Sequence, residues 1–258
     1  MQETTFIQWL VLAIVQGITE YLPISSSAHL ILISKIMQWP DQGLIMDIAA
    51  HGGSLLAVLW YFKEEILKLF KGKNWPLFFQ LSLASIPLAI VGYTFANSIE
   101  VYLRTPIVIA LSSTVFGILL YYSDRIQKRK PNKNKITIKT AFIIGLAQVF
   151  ALIPGASRSG VTMTAAMSMG FDRTKAARFS FLLAIPALLM TTSYGFLKLV
   201  QEPSDYNLLG VITVLIVSFL ASLLSIKLFL NLINRISMAA FMWYRILLGL
   251  LIIGYLQW

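Results

Sequence analysis

Ten apolar runs separated by short polar links leave this chain few ways to fold. They span 5–22, 28–37, 44–62, 77–97 and 106–122, then 137–153, 160–170, 179–199, 208–233 and 239–257. A helix needs roughly 20 apolar residues to cross the hydrocarbon of a bilayer, and most of these runs come close to that length. Of the 258 residues, 57% are hydrophobic and 12% charged, about half the charge of an ordinary soluble domain. No run alternates at the two-residue period of a strand, and several contain Gly and Pro, so an all-α membrane protein is expected rather than a barrel. Met1–Trp9 holds no Lys or Arg and lacks the basic start of a secretory signal, so the first run is expected to stay in the mature chain. With no cysteine present, disulfides, thiolate nucleophiles and Cys-bound zinc are excluded.

One polar stretch, Asp124–Lys139, separates two halves of the same order: an apolar run closed by a Pro and Ser-rich break, a short apolar run, then three full spans. Read as an internal repeat, the chain is a single membrane domain with a first repeat over 1–122, a linker over 123–139 and a second repeat over 140–258. The runs 28–37 and 160–170 are too short to cross and suit re-entrant segments. If each forms a helical hairpin with the run before it, the chain has six transmembrane helices and two re-entrant hairpins. Three crossings per half turn the second half over, which predicts two inverted-topology repeats with a site near the midplane. With Asp124–Lys139 in the cytoplasm, sixteen Lys and Arg, Lys130 among them, fall on the cytoplasmic side and only Lys35, Arg104 and Lys198 outside. This asymmetry puts both termini outside. Topology therefore accounts for the net charge of +10, and no nucleic acid is expected as a partner. Trp39, Trp60, Trp75 and Trp258 are expected as interfacial anchors.

Polar residues collect at the two breaks: Gln16, Glu20, Pro23, Ser25, Ser26, Ser27 and His29 in the first half, and Pro154, Gly155, Ser157, Arg158, Ser159, Gly160 and Thr162 in the second. Ionisable groups within apolar runs are expensive and mark functional sites by default. Gln16 and Glu20 are four apart and share a helix face, which suits a hard divalent cation or a proton. Arg158 follows a Pro-Gly turn at the expected start of a short helix, where backbone N–H groups, the helix dipole and a guanidinium form a phosphate cradle. Aligning Pro23 with Pro154 places Ser26 on Ser157, so two Ser-rich tips are expected to meet. Glu20, His29 and Arg158 then supply an acid or metal ligand, an imidazole and a phosphate clamp, a set suited to phosphoryl transfer. A head group whose tail stays in lipid reaches such a site most easily.

Plainer roles remain for several residues. Ser25, Ser27 and Ser159 can bond back to backbone or to a neighbouring helix. His51 lies four residues after Asp47, a spacing that suits a local pair or packing, and Arg245 is expected to pair with a neighbour or lie near an interface.

The stretches Gln16–His29, with Gln-x-x-x-Glu and Pro-x-Ser-Ser-Ser-Ala-His, and Pro154–Thr162, Pro-Gly-x-Ser-Arg-Ser-Gly-x-Thr, resemble the two signatures of the bacterial undecaprenyl-diphosphate phosphatase family of the bacitracin-resistance type. The resemblance extends over nearly the whole chain and includes Phe179–Pro186. It implies hydrolysis of undecaprenyl diphosphate to the monophosphate, which recycles the carrier lipid of cell-wall synthesis on the outer side of the bacterial plasma membrane, with a divalent cation, magnesium or calcium. By motif match, Gln16 and Glu20 take the metal positions, Glu20, Ser26, His29 and Arg158 the catalytic ones, and Ser25, Ser27, Ser157, Ser159 and Thr162 those that bind substrate. Gln16 stands where some members carry Glu, which leaves Glu20 more of the task. The nucleophile is open among Ser26, His29 and a metal-bound water, and a homodimer is compatible with the reading. A transporter of polyprenyl phosphate is the rival function. The lipid phosphatases that pair Pro-Ser-Gly-His with a later Ser-Arg and His are excluded, since no histidine follows His51.

Overall fold

A computed structural model describes residues 5–39, 43–129, 133, 135–201 and 207–255; Lys130, Trp258 and both chain ends lie outside the described residues. Every regular element among them is helical: α1 (Phe6–Thr19), α2 (Ser26–Ile36), α3 (Leu44–Tyr61), α4 (Lys63–Phe70), α5 (Trp75–Ser98), α6 (Pro106–Arg129), α7 (Ile138–Gln148), α8 (Arg158–Ser168), α9 (Arg173–Gln201), α10 (Leu208–Leu232) and α11 (Met238–Tyr255). Six of them, α3, α5, α6, α9, α10 and α11, are long and apolar enough to cross a membrane. These are the six runs expected to do so. The helix α4, with Glu64 and Glu65 in its first turn and Lys68 in its last, is an addition in the polar link between the runs 44–62 and 77–97.

The long helices are sorted by face as a lipid solvent requires. On α10, Leu209, Ile212, Ile216, Leu220, Leu224 and Leu228 are exposed at spacings of three and four, a continuous apolar stripe. Its opposite face buries Gly210, Val214, Ser218, Ser222 and Ser225. Ser218 Oγ donates to the Ala50 carbonyl at 2.6 Å and Ser222 Oγ to Ser54 Oγ at 3.0 Å, so a hydroxyl seam joins α10 to α3. Small residues permit this approach. A Cβ on Gly53 would stand 2.4 Å from the Leu215 carbonyl, and one on Gly145 of α7 only 2.3 Å from that of Ala84 on α5. Such glycines are how helices pack where apolar burial gives no advantage over lipid.

The remaining contacts set up the site. Helix α1 lies on α10, α3 on α9, α7 on α5, α6 on both α8 and α11, and α8 on α9. The largest core, with Tyr21, Phe62, Phe171, Phe181 and Phe229 fully or almost fully buried, fills the space among them. Arg173 clamps Asp124 with Nε and Nη2 at 2.5 and 2.8 Å and caps the Ile233 and Ile236 carbonyls with Nη1, which ties α9 to α6 and to the end of α10.

Local conformation recurs between the halves at one spacing. Thr5 and Thr137 each cap a helix through a capping box. Ser25 and Ser157 each cap a short helix with φ, ψ of 71, 102° and 69, 112°. Met37 and Met169 end those helices at −82, −2° and −85, −2°. The members of each pair are 132 residues apart. The proline alignment implies 131, so it is one residue out: Ser25, not Ser26, matches Ser157, and Ser26 matches Arg158. The positive-φ capping serine sets the register, and the prolines sit at different distances before it.

Because the Ala84 backbone cannot yield to a Cβ, Gly145→Ala is expected to destabilise the protein by about 1–3 kcal/mol. A lowered melting temperature in detergent checks this, with Gly254→Ala, where nothing lies within 4 Å, expected to melt like the parent.

Candidate active site

Helix α1 ends at Thr19, but its C-cap Glu20 keeps helical angles (φ −61°, ψ −40°) and still donates its backbone N–H to the Gln16 carbonyl at 3.0 Å, so it stays on the face of Gln16. The chain then turns through Tyr21–Ile24 to Ser25, whose positive φ starts α2; the second tip runs through Pro154–Ala156 to Ser157, whose positive φ starts α8. A non-glycine residue held at such angles costs of order 1–3 kcal/mol and persists only where its surroundings over-determine it. Both tips thus present a helix N-terminus, with Ser26 and Arg158 as first residues. Two positive helix ends favour an anion between them.

A cavity of about 200 Å³ opens there. It is lined by Glu20, Ser25, Ser26, Ser27, Ser157 and Arg158 from the tips, by Ala151 and Leu152 beside them, by His51 of α3, Leu88 of α5, and by Ala187, Leu188 and Thr191 of α9. Glu20 is its hub. One carboxylate oxygen accepts from Gln16 Nε2 at 2.9 Å and from Ser26 Oγ at 3.0 Å. The other accepts from Arg158 Nη2 at 3.3 Å, with the two side chains only 9% and 11% exposed. Arg158 Nη1 donates to the Ser180 carbonyl of α9 at 2.8 Å, and the guanidinium lies over the Tyr21 ring, so the clamp is held on three sides. The two Ser-rich tips meet as expected.

Other residues singled out in the sequence stand behind this wall. Ser159 Oγ donates to the Leu22 carbonyl at 2.8 Å, linking one tip to the other. The Thr162 hydroxyl lies 2.7 Å from Ser180 Oγ. Neither lines the cavity, and both are buried. The capping hydroxyls pair within each tip, Ser25 with Ser27 at 3.2 Å and Ser157 with Ser159 at 3.1 Å. His29 also is not among the residues that line the cavity. Its Nδ1 donates to the Ser25 carbonyl at 2.7 Å, which makes Nε2 an acceptor in the neutral ring, and the Tyr244 hydroxyl occupies that position at 2.5 Å with the two rings stacked. His51, for which the sequence suggests a local contact or packing at least as readily as chemistry, both bonds the Asp47 carbonyl at 2.8 Å and lines the cavity.

Arg245 is fully buried, and its partners are backbone carbonyls rather than a carboxylate. Nε donates to Ser113 at 2.9 Å, Nη1 to Pro23 at 3.3 Å, and Nη2 to Gly155 and Ala156 at 2.9 and 2.8 Å. One guanidinium of α11 therefore fastens both tips to each other and to α6, and Ser112 of α6 adds a hydrogen bond to the Pro154 carbonyl. Gly160 leaves the room required, since a Cβ there would stand 2.9 Å from Nη1.

Among the described residues no group of three or more His, Cys, Asp or Glu could hold a metal ion. Gln16 Oε1 is buried without a partner beside the Glu20 carboxylate. A buried acceptor with no donor, on the residue next to a carboxylate, is the kind of hard oxygen that a divalent cation takes, with Gln16 here turning its Nε2 to Glu20.

Arg245→Lys keeps the charge and loses the fork, so at least two of the four carbonyls lose their donor. At about 1–3 kcal/mol for each unsatisfied buried group, a loss of roughly 2–6 kcal/mol is expected, read as a lower melting temperature in detergent together with a fall in kcat.

Comparison with known proteins identifies the family. Residues 9–251 match the family described as "Bacitracin resistance protein BacA". Three relatives, each named undecaprenyl-diphosphatase, are similar along almost their whole length: one from Campylobacter concisus at 44% identity over 93% of this chain and 95% of its own, one from Teredinibacter turnerae at 46% over 94% and 96%, and one from Campylobacter curvus at 42% over 95% and 96%. A protein with these two motifs, this arrangement of helices and a family match of that extent belongs to the BacA family.

Proposed function

We propose that this chain is an undecaprenyl-diphosphate phosphatase that removes the terminal phosphate from undecaprenyl diphosphate within the membrane. The observation that carries this reading is the Ser26 hydroxyl bonded to a Glu20 carboxylate that Arg158 and Gln16 hold in place, at the N-termini of two short helices. A hydroxyl with an adjacent base, a guanidinium clamp and helix N–H groups are the parts required to attack and stabilise a phosphoryl group.

In this reading Ser26 Oγ attacks the terminal phosphorus and gives its proton to Glu20. The bond from that phosphorus to the bridging oxygen breaks, and undecaprenyl phosphate leaves. Arg158 turns from Glu20 to two phosphoryl oxygens and neutralises the charge that grows on them. Ser25, Ser27 and Ser157 contact the phosphates, while Ser159 and Thr162 brace the second tip. His29, with Nε2 taken by Tyr244, fixes the Ser25 carbonyl and so the strained start of α2. A magnesium or calcium ion held by Glu20 and Gln16 Oε1 would supply further positive charge to the diphosphate.

The setting is that of a lipid enzyme. The six long helices and two pairs of short ones suit two inverted repeats with re-entrant hairpins α1–α2 and α7–α8, and the recurrence of caps 132 residues apart supports this arrangement. The distribution of Lys and Arg favours a bacterial plasma membrane protein with both termini and the site toward the outside. All the groups of the site come from one chain, so a homodimer is not required for chemistry.

Phosphate release from undecaprenyl diphosphate by the purified protein tests the function. Release is expected to fall with chelator and return with magnesium or calcium, whereas a pure transporter releases none. Glu20→Gln is expected to lose most turnover, about 10²-fold or more, while Gln16→Glu is tolerated. Arg158→Lys retains charge without the fork and is expected to lower kcat about a hundredfold with a smaller change in KM; an unchanged kcat would make Arg158 a structural charge.

A further inference from the structure

One titratable side chain of the cavity has no task in the steps above. His51 projects from α3, and its Nδ1 lies 2.8 Å from the Asp47 carbonyl of the preceding turn. A carbonyl oxygen only accepts, so Nδ1 carries the hydrogen. The lone pair of the neutral ring is then on Nε2, the nitrogen away from the helix backbone. The ionisable groups that share the cavity with it are Glu20 and Arg158.

The chemistry requires a second proton acceptor. After Ser26 has attacked, Glu20 holds the serine proton and a phosphoserine remains. Its hydrolysis forms a bond from water oxygen to phosphorus and breaks the bond from phosphorus to Ser26 Oγ. Glu20 returns its proton to that leaving oxygen, so it cannot also take one from the water. Arg158 has no lone pair to offer, and the lone pair of His29 is engaged by Tyr244.

We propose that His51 Nε2 is the base that takes the proton of the hydrolytic water in the second half of the reaction, a role that rests on Ser26 being the nucleophile of the first. Only the release of phosphate depends on His51; the departure of the polyprenyl monophosphate does not. Glutamine at this position can donate and accept hydrogen bonds but cannot hold a proton, so the two halves are separable.

The experiment follows labelled phosphate on a soluble short-chain polyprenyl diphosphate labelled at its terminal phosphorus, with acid quenching of the wild type, His51→Gln and His51→Asn, each first shown to melt like the parent. The expected result is a first turnover of monophosphate within about threefold of wild type, steady phosphate release lower by about 10²–10⁴-fold, and acid-stable label on the protein approaching one per chain. Adding Ser26→Ala is expected to abolish that label. Turnover unchanged in both histidine variants would overturn the proposal, as would reduced turnover without labelled protein, because His51 would then act before the phosphoserine or only in packing. Turnover that survives Ser26→Ala in the parent would instead sink the nucleophile assignment itself.

Discussion

The donation of four backbone hydrogen bonds by Arg245 makes the rest of the site feasible. A membrane helix that breaks leaves carbonyls and N–H groups that lipid cannot satisfy, so irregular backbone is tolerated at that depth only where protein or trapped water supplies partners. Pro23, Gly155 and Ala156 lie in two such breaks, far apart in sequence, and share one guanidinium. The hydroxyls of Ser112 and Ser159 complete the tie between tips and bundle. With the breaks secured, Ser25 and Ser157 can be held at positive φ, and that conformation turns the N-termini of α2 and α8 toward one cavity.

Charge in that cavity is balanced by design of position rather than by number. Glu20 and Arg158 are each about nine-tenths buried, and a buried pair loses about 3–5 kcal/mol when one partner is removed. A diphosphate can displace the carboxylate from Arg158 because it brings a second anion to the same guanidinium and to the two helix ends. Glu20, released from Arg158, retains Gln16 and Ser26 on its other oxygen, the oxygen that the proposed proton transfer uses. The bond from Arg158 Nη1 to the Ser180 carbonyl gives the proposed exchange a fixed point about which the guanidinium would turn. The apolar side of the cavity, from Leu88, Ala187 and Leu188, suits the start of a lipid tail.

Most of this was legible in the sequence because a bilayer makes length and polarity explicit. The six crossing helices follow from apolar runs, and the meeting of Glu20 with Arg158 follows from two ionisable residues in breaks of two similar halves. The prolines place the register of the halves one residue out, because the positive-φ serine governs the fold. The surroundings of His51 and Arg245 are not legible in the sequence, for a different reason. Asp47 four residues before His51 offered a sufficient local explanation, yet the ring bonds the Asp47 carbonyl and the packing of α3 against α9 brings it to the cavity. A single Arg in a span names no partner, and carbonyl partners leave no pattern in a sequence. His29, three residues after Ser26, has a partner that no local pattern names: the Tyr244 hydroxyl and ring of α11.

The central claim is that residues from two distant tips act as one site, and a double-mutant cycle on kcat tests it most directly. Glu20→Gln, Arg158→Lys and the double variant would be compared with the parent in phosphate release from a polyprenyl diphosphate, each after its fold is checked by melting. Residues that act as a unit are strongly non-additive, so the double variant is expected to be little worse than the poorer single one. Losses that multiply, with the double variant slower by the product of the two single effects, would contradict a shared site.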